Sequence, residues 1–128
     1  MLVSYVYQAD GRLESVTREY GNGSDYVQYQ YNEYGHTTQI RTNGQALLFT
    51  YDGLDRLSKK SADHGNGQVD TEYTYWTDGD YTSNRITSIK YKTGSQTLTN
   101  IQYEYDNLGN ITRINDGTET RICTAMMY

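Results

Sequence analysis

The chain has no proline, one cysteine, one phenylalanine and only four alanines among its 128 residues. Each shortage excludes something. Cys123 alone closes no internal disulfide, so the sequence does not specify the redox compartment. Few alanines and no sustained 3.6-residue apolar period exclude a helical protein. Leu, Ile, Val and Phe fill only 21 positions, too few for an ordinary aliphatic core. No apolar run reaches the roughly 20 residues of a membrane-spanning helix. The start, Met1-Leu2-Val3-Ser4-Tyr5, shows neither the basic region nor the apolar stretch of a signal peptide. No block of like charge reads as an interaction tail. A net charge of -5 and a pI near 4.8 disfavour nucleic acid, which selects basic faces. That charge is also too small for self-repulsion to hold the chain open.

What the chain has is tyrosine, at 15 positions. A tyrosine buries a large ring while its hydroxyl stays hydrogen-bonded or wet, so it supplies apolar area that the aliphatics do not. Tyr, Thr, Val and Ile suit a pleated, half-buried surface. The expected class is therefore all-β.

The tyrosines repeat. The first unit is Tyr5-Val6-Tyr7-Gln8-Ala9-Asp10-Gly11-Arg12-Leu13, followed by Val16. The second is Tyr29-Gln30-Tyr31-Asn32-Glu33-Tyr34-Gly35-His36-Thr37, followed by Ile40. The third is Phe49-Thr50-Tyr51-Asp52-Gly53-Leu54-Asp55-Arg56-Leu57, followed by Lys60. The fourth opens at Tyr73-Thr74-Tyr75, carries five extra residues, and rejoins at Asn84-Arg85-Ile86, followed by Ile89. The fifth is Tyr103-Glu104-Tyr105-Asp106-Asn107-Leu108-Gly109-Asn110-Ile111, followed by Ile114. A recurring unit with variable spacing means that the connecting loops vary while the unit does not.

Each part has a physical reading. Aromatics two residues apart share one face of a strand. Asn32, Asp52 and Asp106 open a turn by bonding the backbone two residues on. Gly11, Gly35, Asp55, Gly109 and, in the long unit, Asn84 are residue types that tolerate a left-handed backbone. A type I turn ending in such a residue is a common hairpin connection. Asn43-Gly44 is a strong two-residue hairpin signal between units. Gly21-Asn22-Gly23, Gly65-Asn66-Gly67 and Thr93-Gly94 signal turns less sharply. The expected fold is an antiparallel meander of about five hairpins, or about ten short strands. Leu13 and Val16, three apart, face opposite ways unless a bulge intervenes.

The unit Tyr-x-Tyr-Asp-x-x-Gly-Arg-Leu resembles the YD repeat of the rearrangement-hotspot (RHS) family, which includes polymorphic toxins, wall-associated proteins and teneurin-like proteins. The resemblance covers roughly residues 1–115. It rests on Tyr5, Tyr7, Gly11, Tyr29, Tyr31, Gly35, Tyr51, Asp52, Asp55, Arg56, Tyr73, Tyr75, Asn84, Arg85, Tyr103, Tyr105, Asp106 and Gly109 as repeat-motif positions. It implies a curved sheet, a segment of a β-spiral shell in which tyrosines line up across hairpins. It also implies a non-catalytic structural role, with the shell encapsulating or presenting a C-terminal toxin or effector. The implied partners are further YD repeats and a cargo toxin, and the implied location is extracellular or at the cell surface. The sequence departs from the family in having no proline-containing segment to end a shell, and no toxin domain after the repeats. Residues 116–128, ending Cys123-Thr124-Ala125-Met126-Met127-Tyr128, are expected to be an irregular or truncated tail.

Other chemistry is weaker. His36 stands where other units carry Arg and reads as a turn residue. Asp63, His64, Asn66 and Asp70 cluster in a Gly-rich loop but do not follow the calcium-loop spacing. Asp78-Gly79-Asp80 reads as a turn. Asp52, Asp55 and Asp106 are explained by turn position better than as glycosidase carboxylates. Cys123 has no evident base partner. No catalytic residue, metal or cofactor is therefore expected. The alternative function is a carbohydrate-binding adhesion module that uses exposed tyrosines, competing with cross-strand ring packing. Two open sheet edges predict self-association, or stability only within a longer parent.

Overall fold

A computed structural model describes residues 1–63, 65 and 67–123. The chain forms β1 (Leu2–Tyr7), β2 (Leu13–Tyr20), β3 (Gly23–Tyr31), β4 (Thr37–Thr42), β5 (Gln45–Tyr51) and β6 (Leu57–Asp63). It continues through β7 (Gln68–Asp78), β8 (Tyr81–Thr93), β9 (Gln96–Tyr105), β10 (Ile111–Asn115) and β11 (Thr120–Ile122). All eleven lie in one antiparallel sheet in strict sequence order. The all-β meander expected from the tyrosine units is the fold. Each strand packs only on its sequence neighbours, so the sheet is built like a repeat array, one junction at a time.

The turns form by the chemistry that the residue types dictate. In the third unit Asp52 Oδ1 accepts from the backbone N–H of Leu54 (2.9 Å) and Arg56 (3.0 Å), while Asp55 N–H donates to Asp52 O (2.9 Å). Asn32 and Asp106 do the same in the second and fifth units. In the first unit, where Gln8 replaces the Asx residue, Asp10 Oδ1 accepts from Arg12 N–H instead (3.1 Å). The residue closing each of these turns is left-handed: Gly11, Gly35 and Gly109 near φ +90°, and Asp55 at +64°. Asp55 is the only described non-glycine residue with positive φ.

A β-bulge resolves the parity of the return strands. In four units the second aromatic pairs with the first residue of the return strand, and in the long fourth unit with Ile86 inside β8; in each the pairing then skips one position. Tyr7 faces Leu13 while Val6 faces Ser15; Tyr51 faces Leu57 while Thr50 faces Lys59. The skipped residues are Glu14, Thr38, Ser58, Thr87 and Thr112. One extra residue restores the alternation, so Leu13 and Val16 share a face after all. The first aromatics then pair with Val16, Ile40, Lys60, Ile89 and Ile114.

One sheet face therefore collects the aromatics and most aliphatics. Among the described residues no second layer covers it, no hydrophobic side chain is buried, and Ser61 and Thr71 alone are buried. The opposite face carries the ion pairs Lys59–Asp70, Lys92–Glu72 and Arg113–Glu104.

The eleven strands among the described residues agree with the expected meander of about ten. Two expectations are corrected. Asn84 does not adopt a left-handed backbone: it lies within β8, because the longer fourth hairpin turns at Gly79-Asp80, beyond the pairs Thr77–Thr82 and Asp78–Tyr81. The sheet also runs past residue 115, since Thr120–Ile122 pair with Arg113–Asn115 as β11. In this register Cys123 falls where a sixth unit would place its first aromatic.

Asp70 yields a pH prediction. Its carboxylate lies 2.8 Å from Gln68 Nε2 and 2.9 Å from Lys59 Nζ, and its side chain is 16% exposed. Burial by itself raises the pKa, but hydrogen bonds from Gln68, Lys59 and Ser61 together outweigh it and lower it from 3.8 to about 2. A depressed carboxylate stabilises the fold above its unfolded pKa. That stabilisation fades as pH falls from 3.8 through about 2. Asp70→Asn should cost roughly 1 to 2 kcal/mol at neutral pH and flatten the acid limb of stability in that window. Urea melts from pH 7 to 2 check both effects.

Candidate functional site: the junction between neighbouring hairpins

The recurring constellation of this protein lies between units. β3, β5, β7 and β9 each carry a second aromatic beside the return strand of the preceding unit. The hydroxyls of Tyr31, Tyr51, Tyr75 and Tyr105 donate to the backbone carbonyls of Leu13 (2.7 Å), Thr37 (2.7 Å), Leu57 (2.6 Å) and Ile86 (2.5 Å). These acceptors are equivalent: each pairs with the second aromatic of its own unit, just before the bulge. The bulge leaves that carbonyl outside the regular ladder, and the tyrosine of the next unit satisfies it. Burial pushes the phenols of Tyr51, Tyr75 and Tyr105 above their ordinary pKa.

An arginine or histidine from the preceding unit lies beside each ring. The guanidinium carbons of Arg12, Arg56 and Arg85 lie 5.7, 4.2 and 5.9 Å from the ring centroids of Tyr31, Tyr75 and Tyr105. His36 takes this place over Tyr51, with ring centroids 5.2 Å apart. A planar guanidinium suits such stacking better than an ammonium group does.

That side chain then meets the turn of the next unit, and the turn residue matches it. A Cβ at Gly35 would stand 2.9 Å from Arg12 Nη2, and one at Gly109 3.0 Å from Arg85 Nη2. Glycine thus leaves room for arginine. Where the turn residue is Asp55, the shorter His36 stands in for arginine, and its Nδ1 sits 2.8 Å from Asp55 Oδ2. That nitrogen is shielded from solvent, and its approach to the carboxylate is not aligned as a hydrogen bond. In the long fourth unit the insertion supplies acceptors instead: Arg56 Nη1 donates to Thr82 Oγ1 (2.8 Å) and Ser83 O (2.6 Å). Arg56 also holds Asp52 Oδ2 through Nε (2.8 Å) and Nη2 (2.7 Å). Burial raises the Asp52 pKa, yet the hydrogen bonds from Arg56 and from the Arg56 and Leu54 backbone bring it below the usual carboxylate value.

Of the expected motif positions, the structure brings Gly35, Asp55, Arg56, Arg85 and Gly109 into these junctions with Tyr31, Tyr51, Tyr75 and Tyr105. Tyr5, Tyr29, Tyr73 and Tyr103 form the adjoining cross-strand row with the aliphatic partners given above. Arg12 and His36 are junction residues that the single-unit reading left without a role. Their shared place in the unit was the available signal. Thr82 and Ser83 carried none, because their part depends on how the insertion folds. Of the loop cluster, His64 and Asn66 lie outside the described residues; Asp63 Oδ1 caps Gly65 N–H (2.9 Å) and Asp70 belongs to the ion-paired face.

The ladder predicts small, repeated losses. Tyr51→Phe removes one hydrogen bond and leaves the Thr37 carbonyl unpaired, for an expected cost of about 1 kcal/mol. Tyr51→Phe combined with Tyr105→Phe should cost nearly the sum, since the two sites share no partner. Guanidinium melts of the single and double variants measure this.

No protein-family model matches the chain, and no curated protein matches it. The solved structures to which the chain is similar include two crystal structures. One is the crystal structure of TcdB2-TccC3-Cdc42, at 15% identity and a TM-score of 0.41, over 86% of this chain. The other is that of TcdB2-TccC3-TEV, at 18% identity and a TM-score of 0.40, over 88% of this chain. The chain spans about 7% of the length of each matched chain.

Proposed function

We propose that this chain is a non-catalytic structural segment of an RHS-type β-sheet wall, a shell that encloses or presents a C-terminal effector. One observation carries the reading. The same tyrosine-to-carbonyl bond, beside an arginine or histidine of the preceding unit, recurs at all four junctions between units. Such a joint extends a sheet indefinitely and commits its polar groups to neighbouring hairpins. The repeat motif adds the family context: further YD hairpins as neighbours, an effector as cargo and an extracellular or cell-surface setting. The uncovered aromatic face is then the side of the wall where a second surface, wall or cargo, would lie. Electron microscopy of the parent protein purified from its source tests this. The expected result is a hollow shell whose wall contains this chain. A parent in which these hairpins form an isolated sheet on a solid domain would overturn the reading.

A further inference from the structure

Three of the four joints between units carry arginine and one carries histidine. An arginine stays charged at any pH a folded protein meets, whereas an imidazole gains or loses its proton between about pH 5 and 8. The histidine joint differs in two further ways. Its turn residue is Asp55, the only described non-glycine residue with positive φ, so a carboxylate stands where Gly35 and Gly109 present no side chain. His36 Nδ1 lies 2.8 Å from Asp55 Oδ2, shielded from solvent and without an aligned hydrogen bond. The two strands at this joint also share the shortest ladder between units. Residues 39–42 of β4 pair with 45–48 of β5 over four positions, against six between β2 and β3, five between β6 and β7 and six between β8 and β9. A short ladder opens locally more easily, so its side-chain fastening matters more.

We propose that the seam between β4 and β5 is a pH-sensitive joint, fastened when His36 takes up a proton from solvent and loosened when it gives the proton back. The imidazolium forms an ion pair with Asp55 across the seam, and its ring lies beside that of Tyr51, whose hydroxyl holds the Thr37 carbonyl of the same seam. The neutral ring offers Asp55 only a lone pair or a misaligned N–H. Carboxylates are ionised throughout the imidazole range, so the histidine sets the window. The fastening is complete at the acid end of that window and is lost as the pH rises through it. The other charged groups nearby are committed or turned to water. In the following hairpin Asp52 is held by Arg56. In the preceding hairpin Arg12 comes against Gly35, and its charge is paired with Asp10. In the turn of His36 itself, Glu33 and Tyr34 are exposed. The inference rests on the wall reading above for its setting: a wall of permanent joints has one seam that answers to acidity.

Amide hydrogen exchange of the full chain at about pH 5.5 and about pH 8, corrected for the intrinsic rate at each pH, tests this. His64→Gln is present throughout, so that His36 is the one histidine left. Protection of the β4–β5 ladder, relative to the β2–β3, β6–β7 and β8–β9 ladders, should be about 2- to 5-fold higher at the lower pH. Asp55→Asn should remove that difference. So should His36→Arg combined with Asp55→Gly, which rebuilds the arginine–glycine joint found at Gly35 and Gly109 and keeps the test open should Asp55→Asn not fold. A response of equal size at every seam, no response at all, or one that survives either variant would overturn the proposal. A response confined to this seam, in a chain whose parent forms no shell, would instead sink the wall reading and leave the joint standing. A shell whose β4–β5 seam ignores pH would do the reverse.

Discussion

Arg56→Ala is expected to destabilise the folded chain by about 2 to 3 kcal/mol, the largest loss from any single charged side chain here. Arg56 serves four partners at once: Asp52, Thr82, the Ser83 carbonyl and the Tyr75 ring. Its side chain is 17% exposed and that of Asp52 is 25% exposed, so truncation leaves a half-buried carboxylate without its counter-charge. Hydrogen bonds to charged groups contribute more than neutral ones, and stranding the partner adds its desolvation cost. Arg56→Lys should recover less than half, because a point charge cannot reach Asp52, Thr82 and Ser83 together while lying flat on a ring. Arg18→Ala is the control. Its pair with Asp25 spans 3.3 Å with both side chains about half exposed, so its loss should stay under about 0.5 kcal/mol. Denaturant midpoints at constant slope measure all three. In Arg56→Ala the Asp52 carboxyl should also titrate higher than in the parent chain, as seen by NMR, because the charge that lowers its pKa is gone. A loss as small as that of Arg18→Ala would mean that the junction contributes little to stability.

Gly35→Val should cost about 2 to 4 kcal/mol, through two separable effects. The backbone at Gly35 sits at φ +89°, where a β-branched residue is strained by about 1 to 3 kcal/mol. The new Cβ also lands 2.9 Å from Arg12 Nη2 and pushes the guanidinium off the Tyr31 ring. Gly11→Val carries the same backbone strain at φ +90° but meets nothing within 4 Å. The difference between the two variants isolates the junction, and is expected to be about 0.5 to 1 kcal/mol in cation–ring contact. Combining Gly35→Val with Arg12→Ala should remove most of that difference, since the clash needs both groups. Thermal melts of the four proteins, parent included, provide the comparison. Equal costs at Gly11 and Gly35 would show that only the turn backbone matters.

The amino-acid sequence by itself determined the hairpins. Their causes are local: aromatics two apart on a strand, an Asx residue that bonds its own turn, and a residue free to be left-handed. These interactions span four residues or fewer, so residue types at fixed spacing declare them, as Asp52 does with Leu54 and Arg56. Only the tertiary structure decided how the hairpins join. The Tyr51 hydroxyl reaches a carbonyl 14 residues away and that of Tyr105 one 19 away, and a backbone carbonyl has no signature in the sequence. The bulge that frees that carbonyl is a matter of register, which depends on both paired strands. Asn84 shows the same limit from the other side: its residue type permits a left-handed turn, but the insertion moved the turn to Gly79-Asp80 and placed Asn84 in a strand. Local chemistry thus specifies each unit, while the match between one unit's Arg or His and the next unit's turn residue, Arg with Gly and His with Asp, exists only once the sheet has formed.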